Sequence, residues 1–113
     1  MDVVRKEVES LILKELRSAN EKFDMFHSMH EGYAVIKEEV EETEQDLSVV
    51  KIHLKDMWNN VKEDLGSVEL AKDLKKRAVS MAVESIQVAA MAQKFVDSEK
   101  QRTEKENADK ITG

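Results

Sequence analysis

Apolar residues recur at helical spacing in three segments of the chain. The first segment has apolar residues three or four positions apart: Val4, Val8, Ile12, Leu16, Ala19 and Phe23. The second has a longer seam at the same spacing: Tyr33, Ile36, Val40, Thr43, Leu47, Val50, Leu54, Met57 and Val61. The third alternates small and large residues: Ala71, Leu74, Ala78, Met81, Ser85, Val88, Ala92 and Phe95. A period near 3.6 residues is typical of amphipathic helices, so the sequence predicts three of them.

Local signals mark the ends of these helices. Ser28 and Glu31 have the spacing of a capping box, in which each side chain accepts a hydrogen bond from a free backbone amide of the first turn. Gly66 predicts a residue in the left-handed conformation that ends the second helix, and Ser67 predicts the cap of the third.

Composition supports a helical fold. The chain has no proline, three glycines and an aromatic content of 4%, which favours long helices over strands and turns. We therefore predict an all-α protein with a long antiparallel helical hairpin plus an N-terminal helix, in a single domain over residues 1–97. Residues 98–113 have almost no apolar side chains, which predicts a polar, disordered C-terminal tail.

The apolar seams of the predicted helices are too long for one copy of the chain to bury. A protein of 113 residues buries only about two-thirds of the surface that its unfolded chain exposes. A second helix of about 35 residues would be about 50 Å long, which exceeds a compact core of this size. Pairing helices from two or four copies would cover the open seams. We therefore expect a homo-dimer or homo-tetramer that forms a multi-subunit helical bundle.

The net charge, the lack of a membrane-length apolar run or a hydrophobic leader, and the lack of cysteine argue against several classes of partner and site. A net charge of −6 disfavours nucleic acid as a partner, because its backbone is also negative. The sequence has no apolar run of membrane length, no hydrophobic leader and no cysteine. We therefore expect a cytoplasmic protein with no membrane partner, and thiolate zinc sites are excluded.

The second helix carries a dense acidic stretch. Six carboxylates fall within nine residues: Glu38, Glu39, Glu41, Glu42, Glu44 and Asp46. Like charges three or four residues apart destabilise a helix, so another interaction is expected to stabilise this one. Glu39, Glu42 and Asp46 follow one line beside the apolar seam, where carboxylates suit a hard divalent cation such as Mg²⁺. An acidic run is more often a solvated helix face, and that interpretation stays open.

Glu84 is the only ionisable residue between positions 78 and 93. A carboxylate held away from water is costly unless it is protonated, paired or bound to a cation, which makes Glu84 a candidate partner of the acidic stretch. Alternatively, Glu84 belongs to a narrow strip that faces water, made of Arg77, Ser80, Glu84, Gln87 and Lys94. The apolar flanks of this strip favour a crevice, and both interpretations stay open.

The acidic stretch also resembles a known motif. EEVEE at Glu38 to Glu42 resembles the EExxE motif of the MazG-like all-α nucleoside triphosphate pyrophosphohydrolases, and ESIQ, with Glu84 and Gln87, takes the place of their ExxD motif. The stretches KFDMFHSMHEGYAVIKEEVEE and ESIQVAAMAQKF are also similar to small MazG-like proteins of bacteria and their phages. The resemblance covers roughly residues 22 to 96. Gln87 departs from the family pattern, which has an aspartate there, and implies weaker affinity for a hard cation.

The resemblance implies an enzyme that depends on Mg²⁺, or alternatively Mn²⁺, and cleaves a nucleoside triphosphate into monophosphate and pyrophosphate. It implies Glu39, Glu42, Glu84 and Gln87 as metal ligands and Glu38 as the carboxylate that orients the attacking water. Four further residues are candidates for contacts with the substrate: Lys22, His30, Arg77 and Lys94. The alternative function is a non-catalytic helical oligomerisation or adaptor protein. No motif indicates which base or sugar is preferred.

Overall fold

The protein consists of three long α-helices. A computed structural model describes residues 2–112, with α1 at Asp2–Lys22, α2 at Met29–Lys62 and α3 at Val68–Thr112. This part of the chain contains no strand, so the all-α prediction is confirmed. Over the same residues, every helix is too short or too polar to cross a membrane.

The start of α2 agrees with the predicted capping box. The backbone amide of Glu31 donates to Ser28 Oγ at 3.1 Å. The Glu31 carboxylate accepts the backbone amide of His27 at 3.4 Å and lies 3.1 Å from Nδ1 of the same residue. In the usual box the glutamate bonds to the amide of the capping residue. Here Glu31 accepts instead from His27, one residue before the cap, and so links α2 to the end of the preceding loop.

The end of α2 differs from the prediction, because Asp64 and not Gly66 is left-handed. Asp64 has a φ of 52°, and no glycine among the described residues has a positive φ. The amides of Asp64 and Leu65 donate to the carbonyls of Val61 and Asn60, at 3.1 and 2.8 Å, which is the pattern of a Schellman motif. Aspartate is one of the few residues besides glycine that tolerate this conformation, because its short side chain bonds locally.

The described residues form two compact units. One combines the chain up to Glu38 with the chain from Ile86, and the other is Glu39–Ser85. They are called the first and the second unit below.

In the first unit, the loop between α1 and α2 is attached to α3 through Phe26. This residue is 6% exposed. Its amide donates to Ser98 Oγ at 3.0 Å, and its carbonyl accepts from Arg102 Nη1 at 2.7 Å. The ammonium of Lys94 lies 5.0 Å from the centre of the Phe26 ring, within the range of a cation–π interaction. Both backbone groups of one loop residue are therefore satisfied by α3, as burial of a loop requires.

Residues 98–112 are helical, in contrast to the disordered tail predicted from their composition. α3 continues through Thr112, and Ser98 is 1% exposed beneath the Phe26 loop. A side-chain pair one turn apart supports this part of α3, since Glu99 pairs with Arg102. Its glutamates and lysines also have high helix propensity. Residues 1 and 113, the outer ends of the predicted domain and tail, lie outside the described residues.

In the second unit, α2 and α3 run antiparallel. Asp46 of α2 bonds to Arg77 of α3 at 3.1 Å. Glu39 and Glu42, earlier on α2, approach Glu84, later on α3. The order of these contacts is that of the predicted helical hairpin.

Gly32 of α2 lies directly against two aromatic rings of the first unit. A Cβ atom at this position would lie 2.5 Å from Cδ2 of Phe95 and 3.0 Å from Cδ2 of Phe26. Distances below 3 Å do not occur between such atoms, so any side chain here would displace an aromatic ring.

We predict that Gly32→Ala lowers the stability of the protein. Overpacking typically costs about 1–3 kcal/mol, against about 1 kcal/mol that alanine gains over glycine in a helix. Thermal and urea denaturation followed by circular dichroism would measure the difference. Gly66→Ala is the matched control, because nothing lies within 4 Å of its Cβ position. Equal stabilities of the two variants would contradict the proposed steric role of Gly32.

Candidate metal centre

Three glutamates of the second unit converge at one point. Glu39 and Glu42 of α2 and Glu84 of α3 each offer a carboxylate oxygen, and these oxygens lie within 4.8 Å of one another. Glu39 and Glu84 are half-buried, and Glu42 is exposed. The structure therefore brings together the three carboxylates that the sequence singled out. We refer to them as the carboxylate cluster.

Helix geometry explains how this cluster forms. Glu39 and Glu42 are three residues apart, so their side chains project from one face of α2. The Thr43 hydroxyl donates to the carbonyl of Glu39 at 2.9 Å, a bond within the same helix. One turn after Glu42, Asp46 bonds to Arg77, which lies two turns before Glu84 on α3. This ion pair joins the same two helices in the register that places Glu84 opposite the other two glutamates.

Asp46 is the more buried partner of that ion pair. The residue is 7% exposed, whereas the Arg77 side chain is 43% exposed. A charge as buried as that of Asp46 needs a partner, and the guanidinium supplies it. Asp46 is therefore not part of the cluster, although the sequence placed it on the same acidic line. Its partner is 31 positions away, which no local spacing indicates.

The donor set of the cluster fits a small, hard cation. Carboxylate oxygens are the ligands that Mg²⁺ prefers, and Mn²⁺ accepts the same ligands. Ligand atoms on an octahedron of radius about 2.1 Å are about 3 Å apart when adjacent and about 4 Å apart when opposite. The observed limit of 4.8 Å exceeds the larger value by less than 1 Å. The spacing of the three oxygens is therefore close to that of ligands that share one ion.

Two further residues were predicted to act with the cluster. Glu38 is exposed and precedes Glu39 on α2, so its side chain points about 100° away around the helix axis. Gln87 is half-buried and follows Glu84 by three residues, which places both on one face of α3. The roles of Glu38 with the attacking water and of Gln87 as a metal ligand stay predictions.

The candidate substrate-binding residues are divided between the two units. Arg77 lies in the second unit, with the cluster. Lys22, His30 and Lys94 belong to the first unit. Lys22, the last residue of α1, and His30 are both exposed. Lys94 is 2% exposed with its ammonium against the Phe26 ring, so a phosphate would reach it only after that ring moved.

The second unit also contains a polar cleft that sequence reasoning missed. Its volume is about 360 Å³, and it is lined by His53 of α2 and by four residues of α3: Asp73, Lys76, Arg77 and Ser80. His53 is half-buried in the cleft. The sequence signal for the cleft was the polar strip that includes Arg77 and Ser80, which shows that polar residues continue along this face of α3 before Glu84.

The chain matches no protein-family model, no curated protein and no solved structure. The resemblance to MazG-like enzymes therefore stays a prediction based on the residues around positions 38–42 and 84–87. The geometry of the carboxylate cluster is the structural observation that bears on it.

We predict that Mg²⁺ stabilises the protein through the carboxylate cluster. At ten times its dissociation constant, a ligand that binds only the folded state adds about 1.4 kcal/mol, which corresponds to roughly 5 °C for a chain of this size. Glu84→Gln should lose this shift.

Differential scanning fluorimetry with and without 10 mM MgCl₂, roughly ten times a millimolar dissociation constant, would test this. Glu44→Gln is the matched control, since it removes an equal charge from an exposed position of the same helix. A Mg²⁺ response of Glu84→Gln equal to that of the wild type would show that the cluster does not bind the ion.

Proposed function

We propose that the protein is a metal-dependent nucleoside triphosphate pyrophosphohydrolase, which cleaves the α–β phosphate bond to give a monophosphate and pyrophosphate. The observation that carries the proposal is the convergence of Glu39, Glu42 and Glu84 from two helices. The resemblance assigns roles to the same three residues from short local motifs. Their meeting in space depends instead on the register of α2 and α3, so the two arguments are separate.

The cluster explains why such an activity needs a cation. Three carboxylates would repel the negatively charged phosphates of a nucleotide. Mg²⁺ or Mn²⁺ held by Glu39, Glu42 and Glu84 would neutralise phosphate charge and lower the pKa of bound water. The resemblance adds the amide oxygen of Gln87 as a further ligand. The chain fixes the positions of the three glutamates, because their side chains project from helices. Glu38 is the carboxylate that orients the attacking water in this proposal.

We expect pyrophosphate release from nucleoside triphosphates to depend on the cluster. The assay is a panel of ribo- and deoxyribonucleotides with Mg²⁺ or Mn²⁺, on the wild type, Glu39→Gln and Glu84→Gln. Replacing a residue that only hydrogen-bonds to a metal ligand lowers metal affinity or activity about 10–100-fold. Replacing a ligand itself should therefore lower the rate of pyrophosphate release at least roughly 100-fold. Glu44→Gln should retain activity.

Two results would contradict the proposed activity. One is undiminished release by Glu39→Gln and Glu84→Gln, which would place the chemistry elsewhere. The other is a folded wild type that releases no pyrophosphate from any nucleotide with either metal. The second result would favour the alternative function, a non-catalytic oligomerisation protein.

The same proposal includes an assembly of identical subunits, a homo-dimer or homo-tetramer. In the second unit, one heptad column of α2 is half-buried, and it consists of Thr43, Val50 and Met57. The other column is 36–58% exposed, and it consists of Val40, Leu47, Leu54 and Val61. A helix in which both columns are apolar along its whole length is typical of helices that pack against more than one neighbouring helix. A second copy of the chain would cover the exposed column.

The size of the exposed surface supports this assembly. Trp58 lies between Leu54 and Val61 at steps of four and three, and it is 58% exposed. Trp58 and the exposed column together expose on the order of 500 Å² of apolar side-chain surface to water. This area is as large as the largest apolar patches on typical monomeric proteins. Such a patch, with a polar rim, approaches the roughly 800 Å² per partner of a stable interface.

We predict that Leu54→Glu dissociates the assembly. A carboxylate there costs little in a single copy, where Leu54 is 58% exposed, but it would be buried between copies. Light scattering coupled to gel filtration should give an oligomer for the wild type and the monomer mass of 13.0 kDa for the variant. Lys55→Glu, at the adjacent exposed position, should keep the wild-type mass. A monomeric wild type, or an oligomeric Leu54→Glu, would refute this surface.

A further inference from the structure

The polar cleft of the second unit lies next to the carboxylate cluster. Ser80, which lines the cleft, is four residues before Glu84 on α3. Side chains four residues apart on a helix are neighbours, with their Cβ atoms about 6 Å apart. Arg77 is a further turn away on the same face. A ligand that extends from the cluster along α3 for one or two turns would therefore enter the cleft.

The cleft presents groups that bind phosphate. Its lining contains two cations, Lys76 and Arg77, against one carboxylate, Asp73. The Ser80 hydroxyl and the His53 ring add neutral hydrogen-bonding groups. Lys72 and Lys75 extend the positive surface, since together with Lys76 they line an adjoining cavity. Four cations within six residues give this part of α3 the opposite charge to the chain as a whole, whose net charge is −6.

Arg77 is held in position for such a ligand. One guanidinium nitrogen donates to Asp46, which is nearly buried and therefore a fixed anchor. A guanidinium has five N–H donors, so others remain to bind an anion. A pre-positioned planar cation of this kind binds phosphate with little loss of side-chain entropy.

We propose that the part of the cleft lined by Lys76, Arg77 and Ser80 binds the terminal two phosphates of the substrate, and so is the subsite of the leaving pyrophosphate. This inference rests on the proposed function. The oxygen of water bonds to the α-phosphorus, and the bond from that phosphorus to the bridging oxygen breaks. The bridging oxygen leaves with the electron pair as part of pyrophosphate. One proton of the water passes through a carboxylate to solvent, and the other leaves with the monophosphate.

The two cations have a catalytic consequence in this arrangement. Negative charge accumulates on the bridging oxygen and the β-phosphate as the bond breaks, and Lys76 and Arg77 would stabilise it there. The cleft also accounts for a requirement for triphosphates. A monophosphate bound at the cluster would leave the cleft empty and forgo these contacts.

The test measures binding of magnesium pyrophosphate by isothermal titration calorimetry, which does not require turnover. One charge-assisted hydrogen bond is worth about 1.5 kcal/mol, so Lys76→Ala should weaken binding about tenfold, and Ser80→Ala should weaken it less. The KM for the triphosphate should rise and product inhibition by pyrophosphate should weaken by similar factors. Lys14→Ala is the control, because it removes the same charge from an exposed position of α1.

The outcomes separate this inference from the proposed function. If the wild type hydrolyses triphosphates while Lys76→Ala and Ser80→Ala bind pyrophosphate like the wild type, the subsite is refuted and the activity stands. If the wild type hydrolyses nothing while Lys76→Ala weakens pyrophosphate binding, the subsite stands as a polyphosphate site and the activity is refuted. A wild type that does not bind magnesium pyrophosphate overturns the subsite outright.

Discussion

The ion pair between Asp46 and Arg77 holds the two helices of the second unit in one register, and the candidate site depends on that register. Side chains turn by about 100° around a helix for each residue. A slip of one position between α2 and α3 would turn Glu84 away from Glu39 and Glu42. The same slip would separate Arg77 from its anchor and open the polar cleft. One buried carboxylate therefore supports both the proposed metal ligands and the proposed phosphate contacts.

Sequence reasoning succeeded for most features with a local cause and missed most contacts between distant residues. Helical periodicity and the Ser28 cap act within a few residues, and both are seen in the structure. Composition made residues 98–112 look disordered, because nothing local shows that Ser98 bonds to a loop 72 positions away. Gly66 was the expected helix stop since glycine tolerates the left-handed region best, yet Asp64 takes that conformation. The shared face of Glu39 and Glu42 could be predicted from their spacing. The ion pair of Asp46 and the cleft could not, because both depend on how α2 and α3 are aligned.

The first unit shows how a chain that buries few large apolar residues still orders a loop. Among the described residues, only Leu16, Phe26 and Ala90 are buried and apolar. Polar groups complete the contacts around Phe26, where Ser98 and Arg102 bond to its backbone and Lys94 stacks on its ring. Each of these bonds adds only about 1 kcal/mol, but leaving the buried backbone unpaired would cost more. Burial of Lys94 and Ser98 is thus part of the packing of this loop.

The way the two units divide the chain suggests an order of folding. The second unit is one continuous stretch, closed by the short turn around Asp64. The first unit needs two stretches from opposite ends of the chain, joined by contacts such as that between Phe26 and Ser98. Contacts between distant residues form later, because closing a long loop costs more entropy. The three glutamates would then meet before the two ends of the chain have formed the first unit.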